Sequence, residues 1–158
     1  MFNQYKIKLF FVFILATSLI LTSFGCTLRT TVPESSLPIV YTTIYPLYDF
    51  TKKIGGDKIT IINITPAGAE PHSFEPTSKL LADISKADLF LYNGAGMEPY
   101  LDNLLTTLQG SSPLMINANQ GVTLIKENEM PDPHTWLSPS CALTIGENIL
   151  QALIPSYQ

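Results

Sequence analysis

The 158 residues are enough for one domain with a sizeable core, and the 46% hydrophobic content with mean hydropathy +0.21 points at first to a membrane protein. Most of that apolar excess precedes Cys26, so it does not describe the rest of the chain. The formal net charge is −4, and a chain without residues 1–25 would lose Lys6 and Lys8 from its nine basic residues and none of its 13 acids, which argues against nucleic acid or anionic lipid as partner.

Residues 1–25 have the layout of a signal peptide. Lys6 and Lys8 form a short basic stretch, and Leu9 to Leu21 is apolar apart from Thr17 and Ser18. That run is too short to span a bilayer and right for the core of an export signal. Ser23-Phe24-Gly25-Cys26 follows. Gly25 before Cys26 fits a lipoprotein processing site, although Ser23 and Phe24 are atypical there; lipidated Cys26 would attach the exported protein to the membrane surface, facing the periplasm or cell exterior. A disulfide with Cys141, the other cysteine, is the alternative, but Cys141 lies in an apolar helical pattern where a buried thiol is simpler. Residues 26–38 are polar and carry Pro and Ser, as expected of a flexible, lipid-anchored tether.

From residue 39 onward the pattern alternates. Ile39 to Thr43 is β-branched and reads as a strand. Pro46 opens a helix with Leu47, Phe50 and Ile54 on one face, stopped by Gly55-Gly56. Ile59 to Ile64 is a strand, Lys79 to Ser85 a helix, and Asp88 to Tyr92 a short buried strand. Asn93-Gly94-Ala95-Gly96 makes a turn. Met97 to Leu108 reads as a helix with Leu101, Leu104, Leu105 and Leu108 on one face, and Leu114 to Ile116 as a fourth strand. Ala142 to Leu153 has helical periodicity, ended by Pro155. The fold class is therefore α/β: a single lobe, residues 39–158, with a mainly parallel four-stranded sheet flanked by helices. Ligands of such sheets bind in the loops beyond the carboxyl ends of the strands.

The two histidines have matching surroundings. His72 lies in Glu70-Pro71-His72-Ser73-Phe74-Glu75-Pro76, and His134 in Asp132-Pro133-His134-Thr135-Trp136-Leu137-Ser138-Pro139. Each reads acid, Pro, His, hydroxyl, aromatic, with a closing Pro. The proline restricts the backbone before each imidazole and lowers the entropy lost on binding. The acid can accept a ring N–H, as carboxylates behind metal ligands do. A lone histidine in a loop is more often a hydrogen-bonded surface residue; the repeated context raises metal binding to an equal reading. Two imidazoles are an incomplete set for zinc, which takes four ligands or three plus water. A metallohydrolase would require a motif such as H-E-x-x-H or a general base beside the ligands, and neither occurs.

At these residues the chain resembles the metal-receptor (cluster A-I) solute-binding lipoproteins of ABC transporters, which capture zinc or manganese. Gly68 to Pro76 is similar to the family's first-ligand loop, Asp132 to Pro139 to its second, and Asn93 to Glu98 to the turn between them. The resemblance implies that His72 and His134 are metal ligands, that zinc or manganese is the transported cofactor-like cargo, and that an ABC transporter permease is the partner. It also implies a two-lobed fold joined by a rigid helix, whose remaining ligands come from the second lobe. No histidine follows His134, so the C-terminal lobe is expected to be absent, with the linking helix beginning near Ser138 and cut short at Pro155. Leu143, Ile145, Ile149, Leu150 and Leu153 would then be uncovered. Asn117 to Met130 lacks the His-rich loop of many zinc-specific members, which tilts the metal toward manganese or toward a zinc receptor without that loop. The resemblance implies no enzyme; its alternatives are a surface adhesion lipoprotein or an inactive remnant with a vestigial metal site.

Overall fold

The computed structural model describes residues 37–111, 113–128 and 130–154. The export signal, Cys26 and nearly all of the tether lie outside these residues, as does Pro155. The described chain runs β1 (Ile39–Thr42), α1 (Tyr45–Gly55), β2 (Thr60–Asn63), α2 (Ser78–Ile84), β3 (Leu89–Tyr92), α3 (Leu101–Thr107), β4 (Leu114–Asn117), β5 (Lys126–Glu127), β6 (Met130–Pro131), a 3-10 turn (Thr135–Leu137) and α4 (Pro139–Leu153).

The four main strands form one parallel sheet in the order β2-β1-β3-β4. Helices join successive strands because a parallel return needs a crossover. Both faces of the sheet are covered, so its strands are apolar on both sides. The period of two then sorts the side chains. Val40, Leu89 and Leu91 face one core with Leu47 of α1 and Ile145 and Ile149 of α4. Tyr41 and Phe90 face the other, with Ile84, Leu104 and Leu108. The expected α/β lobe with a four-stranded parallel sheet is what the chain forms.

Local chemistry sets the element ends. Pro46 sits in the first turn of α1, and Gly56, at φ 60°, ends it with its N–H on the Lys52 carbonyl at 2.9 Å. Lys52 and Lys53 in the last turn complement the helix dipole. Thr77 caps α2 by accepting the Leu80 N–H. Pro139 opens α4 three residues before the periodicity begins.

Three expectations need correction. The helix expected from Met97 starts at Leu101, because Met97 N–H closes a turn on the Gly94 carbonyl and the Glu98 carboxylate folds back onto the 93–94 amides. The antiparallel pair β5–β6 was not expected at all. Of the five apolar residues expected to be uncovered on the last helix, Ile145, Ile149 and Leu153 are fully buried, and only Leu143 and Leu150 are exposed. The first three pack into the lobe's own core, because α4 lies against α1 and the sheet.

Candidate metal centre

The loop from β2 to α2 carries His72. Its beginning is tied down where Thr65 donates its hydroxyl to the Thr43 carbonyl at 2.6 Å and Asn63 donates its amide to the Thr65 carbonyl at 2.7 Å. Farther on, Ser73 N–H meets the Glu70 carbonyl at 3.1 Å. The Glu70 carboxylate accepts the backbone N–H of His72 at 3.2 Å. Phe74 stands edge-on to the buried ring of Tyr100, centroids 6.0 Å apart, which roots the loop in the second core. His72 itself is exposed.

His134 follows the β5–β6 pair. Asp132 accepts both its backbone N–H at 2.9 Å and its ring Nδ1 at 2.8 Å. The backbone and then the ring N–H of His134 hold the Asp132 carboxyl below its ordinary range. An ionised carboxylate only accepts, so in this pair the Nδ1–H donates and Nε2 is the ring nitrogen not engaged by Asp132. Trp136 lies 5.4 Å from the His134 ring. Of the two acids expected behind the histidines, then, Asp132 takes a ring N–H, while Glu70 takes a backbone one.

The two loops bring the imidazoles together, 62 positions apart in sequence, with ring centroids 5.6 Å apart and planes at 63°. Around a tetrahedral ion with Zn–N bonds of about 2.0 to 2.1 Å, two imidazole centres sit about 5 Å apart, so a small closing movement suffices. Among the described residues no group of three or more His, Cys, Asp or Glu side chains gathers to hold a metal. The pair therefore offers two nitrogen ligands and leaves the other positions of an ion open. It borders a cleft of about 870 Å³ lined by Tyr45, Tyr48, Pro66, Met97 and Trp136 among others.

Removing the carboxylate behind His134 frees its ring to turn and to take the other tautomer. Asp132→Ala is expected to weaken any zinc binding by this pair by about 10- to 100-fold and, being exposed, to leave stability nearly unchanged. Unchanged affinity in a competition titration would refute that role for Asp132.

Sequence reasoning passed over Glu98. It is 5% exposed and accepts hydrogen bonds from the Thr43 hydroxyl and the Asn93 and Gly94 amides. Standing between Met97 and Pro99 after a glycine turn, it carries no local sign of burial. Burial pushes its carboxyl above the ordinary value, and the bonds from Thr43, Asn93 and Gly94 pull it back. An acid raised in the fold holds its proton more tightly folded than unfolded. Its protonation therefore favours the fold as pH falls through its folded pKa toward the unfolded one. The stability of the wild type relative to Glu98→Gln, which does not titrate there, is expected to rise on acidification through that window. Urea unfolding at stepped pH reads the difference, and a falling gap would show the opposite shift.

The family model described as "Zinc-uptake complex component A periplasmic" matches residues 40–156. The zinc-binding lipoprotein AdcA of Streptococcus pneumoniae serotype 4 is 35% identical over 133 residues, which cover 75% of this chain and 26% of AdcA. The high-affinity zinc uptake system protein ZnuA of Bacillus subtilis is 35% identical over 130 residues, covering 73% and 41%. The chain thus spans between about a quarter and two fifths of the length of these relatives. Among solved structures, the Zn(II)-bound ZnuA-like domain of S. pneumoniae AdcA superposes with a TM-score of 0.71 at 38% identity, over 77% of this chain and 45% of that one. The Mn-bound periplasmic metal binding protein from Candidatus Liberibacter asiaticus gives 0.65 at 27% identity, over 75% and 46%.

Proposed function

The chain belongs to the family of periplasmic zinc-uptake component A proteins, and from that premise we propose that it binds a divalent metal ion outside the cytoplasm as part of an ABC import system. The observation that carries this reading is the pair His72 and His134, held 5.6 Å apart with Asp132 behind one of them. Both imidazoles line an open cleft, where an ion can enter and leave. Cargo has to be released, and a site with positions open to exchange suits that better than a closed structural one.

Zinc is the favoured ion. Imidazole suits zinc, whereas manganese prefers carboxylate and water, and AdcA and ZnuA, each matched over about three quarters of this chain, are named for zinc. These two points outweigh the missing His-rich loop. In this reading the protein works as a receptor and not as an enzyme: it delivers the ion to a transporter permease, exported and held at the membrane by lipidated Cys26.

Calorimetric titration of zinc and of manganese into the metal-free full chain in mild detergent tests the proposal. Micromolar or tighter zinc binding, with manganese weaker, is the expected result. Absence of binding for both ions would end it.

A further inference from the structure

We infer that Asn93, braced by Glu98, is the positioning residue that holds the His134 loop in register with the His72 loop; the inference rests on the metal-binding reading of that pair. The sheet order reverses direction between β1 and β3, and at such a point doubly wound sheets open a crevice at the carboxyl ends of the strands. Here the crevice is filled by buried polar side chains, Thr43, Asn93 and Glu98.

The bonds run through this plug from one histidine loop to the other. On the first side, Thr65 at the start of the His72 loop donates to the Thr43 carbonyl. Thr43 donates its hydroxyl to Glu98, whose two carboxylate oxygens accept the amides of Asn93 and Gly94, each at 2.8 Å. On the second side, Asn93 brackets His134. Its side-chain amide donates to the carbonyl of Pro133 at 3.0 Å, the residue just before. Its backbone carbonyl accepts from Asn119 at 2.9 Å, and Asn119 in turn accepts the hydroxyl of Thr135 at 2.7 Å, the residue just after.

Both neighbours of His134 are thus tied to Asn93, Pro133 by its side chain and Thr135 through Asn119 to its backbone carbonyl, and the residue is fully buried. In a low-dielectric interior such bonds reinforce one another, and each lost partner leaves a buried polar group unpaired. An exposed imidazole is aimed by its attachments; Asp132 holds the ring, and the clamps fix the backbone on either side of it.

The test compares four variants with the wild type, all as full chains in mild detergent. Asn93→Ala removes the clamp on Pro133, and Thr135→Val removes the one on the other side while keeping the shape of the side chain. Ile84→Val, in the second core, serves as a control that lowers stability while leaving both clamps on the His134 loop intact. Competition against a chromophoric chelator is expected to show zinc affinity about 10- to 100-fold lower in the first two and unchanged in the control. Thr135→Ser, which keeps the hydroxyl, is expected to restore wild-type affinity.

Hydrogen exchange on the metal-free chains supplies a readout that needs no zinc. The amides of Leu137 and Ser138, bonded to the His134 and Thr135 carbonyls, are expected to exchange faster in Asn93→Ala and Thr135→Val, with those of β3 unchanged. Should the wild type bind no zinc, the receptor reading fails while the exchange data still decide the positioning. Affinity and loop protection equal to those of Ile84→Val in both variants would overturn the inference.

Discussion

Replacing His72 and His134 together with alanine is expected to abolish zinc binding, leaving no heat above dilution at concentrations where the wild type saturates. The reason is the composition of the site. Two imidazole nitrogens are the ligands this arrangement presents, and among the described residues no third His, Cys, Asp or Glu joins them. Asp132 would remain, but exposed and without its ring partner. Each single variant leaves one imidazole, which an ion binds about as weakly as any surface histidine, so either alone should cost nearly as much as both. The fold should hardly notice. Both side chains are exposed, and exposed substitutions usually change stability by no more than about 0.5 kcal/mol. Urea unfolding of the same samples separates loss of ligands from loss of structure. Zinc binding at wild-type affinity in the double variant would place the ion elsewhere.

Ile149→Ala is expected to cost about 2 to 5 kcal/mol of stability, the range for truncating a large aliphatic side chain in a packed core. Ile149 is fully buried. It lies one turn from Ile145 and one turn from Leu153 on the face of α4 that meets Leu47 of α1 and Val40 and Leu89 of the sheet. Cavity formation there removes contacts from two layers at once, and rigid secondary structure on both sides limits collapse. Measured against a total of about 5 to 15 kcal/mol for a domain, the loss would shift the urea midpoint by a large fraction. Leu150→Ala, on the next residue but 44% exposed, should change it by no more than about 0.5 kcal/mol. Equal effects at the two positions would mean that α4 does not pack as described.

That contrast bears on how far the sequence was legible. Periodicity found α4 but not which of its apolar residues would be covered, since a helix with apolar residues around much of its circumference can bury several alternative stripes. The strands were readable because Ile39-Val40-Tyr41 and Leu89-Phe90-Leu91 are apolar on both faces, as a doubly covered sheet demands. The β5–β6 pair was not, being two residues per strand and ending in Pro131, a residue that usually argues against a strand. In the site, the matched loops of His72 and His134 were visible because their signal is local. Asp132, two residues from His134, belongs to the same local signal. Glu98 and Thr43 meet across 55 positions, and Asn93 reaches Pro133 across 40. In the sequence these are single polar residues in turns, and nothing local separates a buried brace from a solvated side chain.

The place of β1 in the sheet bears on the order in which the chain can become folded. Among the described residues the first strand to be made is an inner one, flanked by β2 and β3, and the core face it shares with α1 closes fully only when α4 supplies Ile145, Ile149 and Leu153. β1, α1 and β2 can meet early because they are near in sequence. The β1–β3 pairing has to close a loop of roughly 50 residues first, and non-local parallel pairings of this kind are slow. Until Leu153 is in place, Val40, Leu89 and Leu91 have only α1 to cover them. A nascent or partly translocated chain would therefore show a greasy sheet to whatever escorts it, and the last helical turn would act as the latch that makes the lobe commit.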